Sequence, residues 1–140
     1  MSNRTSNIFV TVDIILLRKS AAGGELLLIQ RKNEPFRDQW ALPGGFVDQN
    51  EDLADAARRE LLEETGIQVM HLEQLKAFGK PGRDPRGHMI SVAFLVTVTD
   101  ENLVAKAADD AADAKWFSVN DLPKLAFDHA EIISFARTKL

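Results

Sequence analysis

Apolar residues fall along this chain in two rhythms, and the change from one to the other separates strands from helices. Residues 9–17 (FVTVDIILL) are almost continuously apolar, the pattern of a strand buried on both faces. Residues 25–31 (ELLLIQR) repeat that pattern after the small-residue stretch 19–24, which reads as the turn of a hairpin. Residues 40–42 form a short extended piece that runs into the turn Pro43-Gly44-Gly45, where a backbone can approach a ligand closely. From residue 52 to 65 the rhythm becomes helical, rich in Ala, Leu, Glu and Arg, with Asn50 as the expected N-cap and Gly66 as the stop. Ala54, Ala57, Leu61 and Leu62 form its expected packing stripe. Strands are expected over 68–79, 90–98 and 115–118. A helical turn over 119–122 and a last helix over 129–139, capped by Asp128, complete the reading. Strands mixed with two substantial helices predict an α+β sandwich with a mixed sheet between helices.

Composition narrows the class of protein. At 140 residues the chain has the length of one domain, expected to occupy 1–140 as a single unit. No apolar run approaches membrane-spanning length, and the N-terminal MSNRTSN lacks the apolar core of a signal peptide. The expectation is a cytoplasmic protein with no membrane partner. The absence of Cys excludes a disulfide framework and thiolate chemistry. A pI of about 5.4 argues against a nucleic-acid surface.

The charge is unevenly placed. Residues 51–66 hold six acids and two bases, so their excess of four acids equals that of the whole chain. Glu60, Glu63 and Glu64 fall within roughly a 100° arc of the predicted helix. Most acidic faces are simply solvated, but three carboxylates on one face repel one another and call for a positive group among them. Oxygen ligands without Cys or paired His suit Mg²⁺ or Mn²⁺ rather than zinc. Such an ion engages substrate phosphates as well as carboxylates, which points to hydrolysis of a phosphoanhydride.

The same region carries a motif. Gly45, Glu51, Arg59, Glu60, Leu61, Glu63, Glu64, Gly66 and Ile67 match G-x5-E-x7-R-E-U-x-E-E-x-G-U at every defined position, U being a bulky aliphatic residue. The chain therefore resembles the Nudix hydrolase family. The resemblance implies an α/β/α sandwich in which the motif forms a loop–helix–loop. It implies metal coordination by Glu60 and Glu64, with Glu63 often joining, and by the backbone carbonyl of Gly44. It also implies that Arg59 steadies one of the glutamates by an ion pair. The catalytic set is then Arg59, Glu60, Glu63 and Glu64, with no single one of them assigned as the base.

Substrate choice must come from outside the motif. Residues 76–88 (KAFGKPGRDPRGH) carry Lys76, Lys80, Arg83, Arg86 and His88 against one acid, Asp84, in a loop-like stretch that suits a substrate with several phosphate oxygens. Arg83, Arg86 and His88 are the expected substrate contacts there, with Arg37 ahead of the PGG turn. Trp40, beside Leu42, is expected as a core anchor. Phe127, Asp128 and His129 are explained by capping and packing, and a solvated loop accounts for most of Asp109, Asp110 and Asp113. Pro81, fourteen positions after Ile67, and the wording DPRGH-x-x-SVAF resemble the ADP-ribose pyrophosphatase branch. That branch implies cleavage of ADP-ribose to AMP and ribose 5-phosphate, and by family habit a homodimer. A nucleoside triphosphate pyrophosphohydrolase shares the motif and is the first alternative. A nucleotide-sensing domain of a regulator is the second; the intact motif and a last helix ending near Leu140, with no room for a winged helix, argue against it.

Overall fold

The apolar run near the N-terminus becomes the centre of the sheet, because it is the segment able to be buried on both faces. In the computed structural model, which describes residues 6–21 and 23–140, β1 (Ile8–Ser20) lies between β2 (Gly23–Arg31), antiparallel, and β6 (His88–Val98), parallel. With β3 (Trp40–Ala41) and β5 (Glu73–Phe78) the order is β3-β2-β1-β6-β5. β4 (Gly44–Phe46) pairs with the first half of β1, and β7 (Ala111–Ser118) pairs with β2.

Alternation along these strands then divides the core between two helices. Val12, Ile14 and Leu16 face α1 (Leu53–Thr65), packing with Ala56, Ala57 and Leu61. Ile15 and Leu17 face α2 (His129–Arg137), packing with Ile132, Ile133 and Ala136. β6 divides likewise, Val92, Phe94 and Val96 against Ala93 and Leu95. The result is the α/β/α sandwich expected, with a mixed sheet. Among the described residues no helix is long and apolar enough to cross a membrane.

Several local expectations are corrected. The strands run on to Ser20 and restart at Gly23, so the predicted turn over 19–24 is tighter than drawn; Ala22 within it, like residues 1–5, lies outside the described residues. Gly44 and Gly45 are not only a turn but strand residues, registered against Asp13 and Val12. Asp52, not Asn50, caps α1, accepting the Leu53 N–H at 2.7 Å; Asn50 sits two residues earlier at φ 63°. Leu62 is 45% exposed, and the buried face of α1 runs through Ala56, Ala57, Leu61, Glu64 and Thr65 instead. β5 begins only at Glu73, β7 begins four residues early at Ala111, and residues 119–121 make turns rather than helix. Asp128 stands at the N-cap position of α2 without capping it, because Arg83 takes its carboxylate.

Leu61 is fully buried between α1 and the sheet. Leu61→Ala is expected to cost about 2–5 kcal/mol of stability, read by chemical denaturation. A loss well below that range would mean that α1 packs more loosely than described.

Candidate active site

Helix α1 brings its acids against a stretch of backbone that carries no side chains. Glu64 is 6% exposed, and its Oε1 accepts the N–H of Gly44 at 2.7 Å. A Cβ on Gly45 would meet Glu60 Oε2 at 2.5 Å, so only glycine lets that carboxylate lie where it does. Gly44 is equally confined, since a Cβ there would overlap the Val12 carbonyl oxygen. Burial pushes the Glu64 carboxyl well above its usual range, opposed by the Gly44 N–H and reinforced by Glu60, Asp13 and Asp110. Burial likewise raises Glu60, with Arg59 acting the other way.

Arg59 is the positive group among the acids. Its Nε and Nη2 donate to the two oxygens of Glu51 at 2.8 Å each. Nη1 donates to Glu60 at 2.9 Å and reaches Glu63 at 3.3 Å, and Nη2 also reaches the Phe46 carbonyl at 3.0 Å. One guanidinium therefore ties the loop before α1, two of its acids and β4 together.

The opposite wall comes from the loop between β5 and β6 and from the start of α2. Arg83 is nearly buried, and its Nη2 and Nε donate to Asp128 at 2.6 and 2.9 Å. Arg86 is more open and is held by the buried Asp84, with Nη2 on Oδ2 at 2.7 Å and Nε on Oδ1 at 3.1 Å. Behind them lies a buried polar chain. His129 Nδ1 accepts the Leu42 N–H at 3.0 Å, which leaves the ring hydrogen on Nε2, 3.4 Å from Asp13 Oδ1. Ser91 donates to the other oxygen of Asp13. Burial would raise Asp13, but His129, Ser91 and Arg83 outweigh it and hold its carboxyl below the ordinary value.

The two walls enclose a cavity of about 360 Å³ lined by Gly44, Glu60, Glu64, Arg83, Arg86 and Asp110, among others. Of the residues singled out in sequence, these are the ones the fold brings together. Glu63 is 44% exposed beside Arg59 and does not line the cavity. Arg37 is exposed on the loop after β2, its backbone N–H held by Glu34, and His88 binds the Gly79 carbonyl oxygen at 2.9 Å; neither lines the cavity. Trp40 packs in the core beneath α2, edge-on to Phe117. Asp113 belongs to β7 and Asp109 to the turn before it, leaving Asp110 as the acid that reaches the site.

Sequence reasoning missed Asp13, Arg31, Phe46, Phe127 and His129 as site residues. An acid inside the apolar run FVTVDIILL was a signal for the first. Arg31, at the charged end of an ordinary strand, offered none.

The donor set fits a hard divalent cation. Glu64 is buried and Glu60 partly so, two oxygen donors that repel each other, beside the Gly44–Gly45 backbone that also lines the cavity. Among the described residues no three acidic or His side chains converge as a ready-made cage, so these residues would hold the ion together with backbone, water and substrate oxygens.

Comparison with known proteins adds the following. The NUDIX domain family model matches residues 8–135. An ADP-ribose pyrophosphatase of Methanocaldococcus jannaschii is 50% identical over 109 residues, covering 78% of this chain and 63% of that protein. The ADPR responsive transcriptional repressor NtrR of Acinetobacter baylyi is 36% identical over 135 residues, covering 94% of this chain and 54% of that protein. The chain thus spans between half and two-thirds of the length of these relatives. Among solved structures, the NUDIX domain of Shewanella oneidensis NrtR complexed with ADP ribose is similar with a TM-score of 0.88 at 33% identity, covering 96% of this chain and 90% of that one.

Arg59, and next the Asp48 N–H, hold the Glu51 carboxyl down to about 2, against an ordinary 4.5. A depressed carboxyl stabilises the fold above its unfolded value and loses that contribution as pH falls from 4.5 toward 2. Glu51→Gln is therefore expected to lower neutral-pH stability by roughly 1 kcal/mol, the pair being partly screened by solvent. Denaturation curves across pH check this: the gap from wild type should close toward the acid end. A gap that stays constant down to the lowest pH would refute the Arg59–Glu51 linkage.

Proposed function

The chain belongs to the Nudix family, and from that premise we propose that it is a metal-dependent hydrolase of a nucleoside diphosphate linked to another moiety. The substrate we favour is ADP-ribose, cleaved to AMP and ribose 5-phosphate. The observation that carries this reading is a single cavity with buried carboxylates on one wall and arginines on the other. A diphosphate needs both: cations for its own oxygens, and an acidic site for the ion that accompanies it. The pyrophosphatase relative supports the choice of substrate, being 50% identical over 109 residues.

Water adds across one P–O bond of the anhydride, and two phosphomonoesters leave. When bound, a magnesium or manganese ion supplies charge neutralisation and lowers the pKa of the attacking water. Glu60 and Glu64 would hold that ion, with the Gly44 carbonyl as a further ligand and Glu63 as an optional addition from the same helix. Arg59 orients Glu60 and favours its charged form against the effect of burial. Gly44, by its N–H on Glu64, holds the second carboxylate against the turn. Arg86, fixed by Asp84 but with Nη1 unpartnered among the described residues, binds phosphate oxygen, and Arg83 adds positive charge from behind while its fork engages Asp128. Arg37 and His88 stand farther out and would meet only a substrate that reaches past the cavity.

A second reading is nucleotide sensing without turnover, favoured by the repressor relative, 36% identical across 94% of this chain. Product analysis with Mg²⁺, offering ADP-ribose beside nucleoside triphosphates, separates the possibilities. AMP and ribose 5-phosphate are expected. A monophosphate with pyrophosphate from a triphosphate would replace the substrate, and tight ADP-ribose binding without turnover would replace hydrolysis by sensing.

Glu64→Gln is expected to lower kcat by a factor on the order of a hundred or more with the fold intact. Mg²⁺ should also raise the melting temperature of the wild type at neutral pH, because it binds the folded site and offsets two neighbouring carboxylates, and the variant should lose most of that rise. Near-normal turnover with an undiminished Mg²⁺ effect in Glu64→Gln would refute the assignment.

A further inference from the structure

Arg31 closes β2 with its side chain on the cavity wall. Its Nε donates to the Pro35 carbonyl at 2.7 Å, which fixes the direction of the guanidinium. Among the described residues its Nη atoms have no hydrogen-bond partner and the side chain forms no ion pair, whereas Arg83 and Arg86 are paired with Asp128 and Asp84. Glu64, Asp84 and Asp110 act on this partly buried guanidinium only through space, so its open donors are left for something else to meet.

The neighbouring geometry says what that something is. The Arg31 guanidinium lies 4.9 Å from the centre of the Phe127 ring, and that of Arg86 lies 5.4 Å from the same ring. Phe127 is held at φ 53°, a left-handed backbone disfavoured for any residue with a Cβ. Phe36, whose ring packs against it at 4.8 Å, is held at φ 61°. Two strained phenylalanines thus form a platform on which two arginines rest. The ring attracts each cation, but it does not cancel their mutual repulsion. Asp84 already holds Arg86, and Glu34 on the rim accepts the Arg37 N–H at 3.1 Å. An anion entering the cavity that Arg31 lines would meet those Nη donors, and a planar guanidinium matches the tetrahedral edge of a phosphate.

We propose that Arg31 and Arg86, seated on Phe127, form an anion subsite that receives the phosphate of a nucleoside diphosphate not engaged by the Glu60–Glu64 wall. Arg31 is thereby a substrate-binding residue. The assignment rests on the diphosphate-hydrolase reading for the identity of its ligand, and the experiment separates the two.

Titration calorimetry in the presence of a chelator would compare inorganic pyrophosphate and ADP-ribose on wild type, Arg31→Gln and Arg31→Lys. Arg31→Gln is expected to bind both ligands roughly ten- to a hundred-fold more weakly, the loss of a charge-assisted phosphate contact. Arg31→Lys should recover part of that loss. The wild-type affinity should fall more steeply with salt than that of Arg31→Gln, a readout that a merely structural role of Arg31 would not move. With Mg²⁺ present, KM for ADP-ribose should rise more than kcat falls. If Arg31→Gln does not fold, Arg31→Lys and Arg86→Gln carry the same comparison. Unchanged affinity and salt slope in the variants, or no binding of either ligand by the wild type, would overturn the subsite. Arginine-dependent binding of pyrophosphate, with no hydrolysis of ADP-ribose by the wild type, would leave the subsite standing and remove the functional reading instead.

Discussion

Two glycines without side chains decide where the acids of α1 can go. A Cβ on Gly45 would stand 2.5 Å from Glu60, and Gly44 offers its bare N–H to Glu64 at 2.7 Å. A carboxylate at 6% exposure is ordinarily a liability, since leaving water disfavours its charge. Here the helix can press it into the fold only because β4 presents backbone rather than side chains at that point. Without the close approach, Glu60 and Glu64 would be two more acids on a solvated helix face. With it, they become a confined pair whose raised pKa values express a demand for positive charge.

That demand is met from inside only in part. Arg59 pairs with Glu51 ahead of the helix and with Glu60 and Glu63 on it, and also grips the Phe46 carbonyl, so the ion network and the placement of β4 are one structure. Among the described residues Glu64 has no such partner, only the Gly44 N–H. The cavity side of the pair is left uncompensated, facing arginines across the pocket. Unlike charges on facing walls, kept from collapsing onto each other by Asp84 and Asp128, suit a ligand that is itself anionic and carries a cation.

The arginine wall depends on contacts that span the chain. Arg83 and Asp128 are 45 positions apart, Asp13 and Ser91 are 78, and Leu42 and His129 are 87. His129 uses both ring nitrogens in this work, one on the backbone just before the glycine pair and the other toward Asp13. The start of α2 is thus bound to the loop between β5 and β6, to β1 and to the approach to β4. Asp128 shows how such a network overrides a local rule: it stands where a capping side chain belongs, yet its carboxylate goes to a buried guanidinium instead, a charged partner being worth more than a neutral N–H.

What the sequence determined by itself was whatever depends on a repeating local geometry. The helical period set Glu60, Glu63 and Glu64 on one face, and the run 9–17 announced the central strand, buried on both sides from Thr11 on while Phe9 and Val10 stay exposed. Gly66, at φ 73°, ended the helix where glycine at that place implies. Even there the period could not say which flank would be buried, and Glu64 went inside while Leu62 stayed out. Only the tertiary structure decided that Asp110 and not Asp109 or Asp113 reaches the cavity, that Arg83 turns to Asp128, and that Arg31 meets Phe127. The physical reason is that a helix relates residues a few bonds apart through nearly constant dihedrals. The partners of Asp13, Arg31 and Arg83 are chosen by sheet register and layer packing, which bring together residues that no local rule connects.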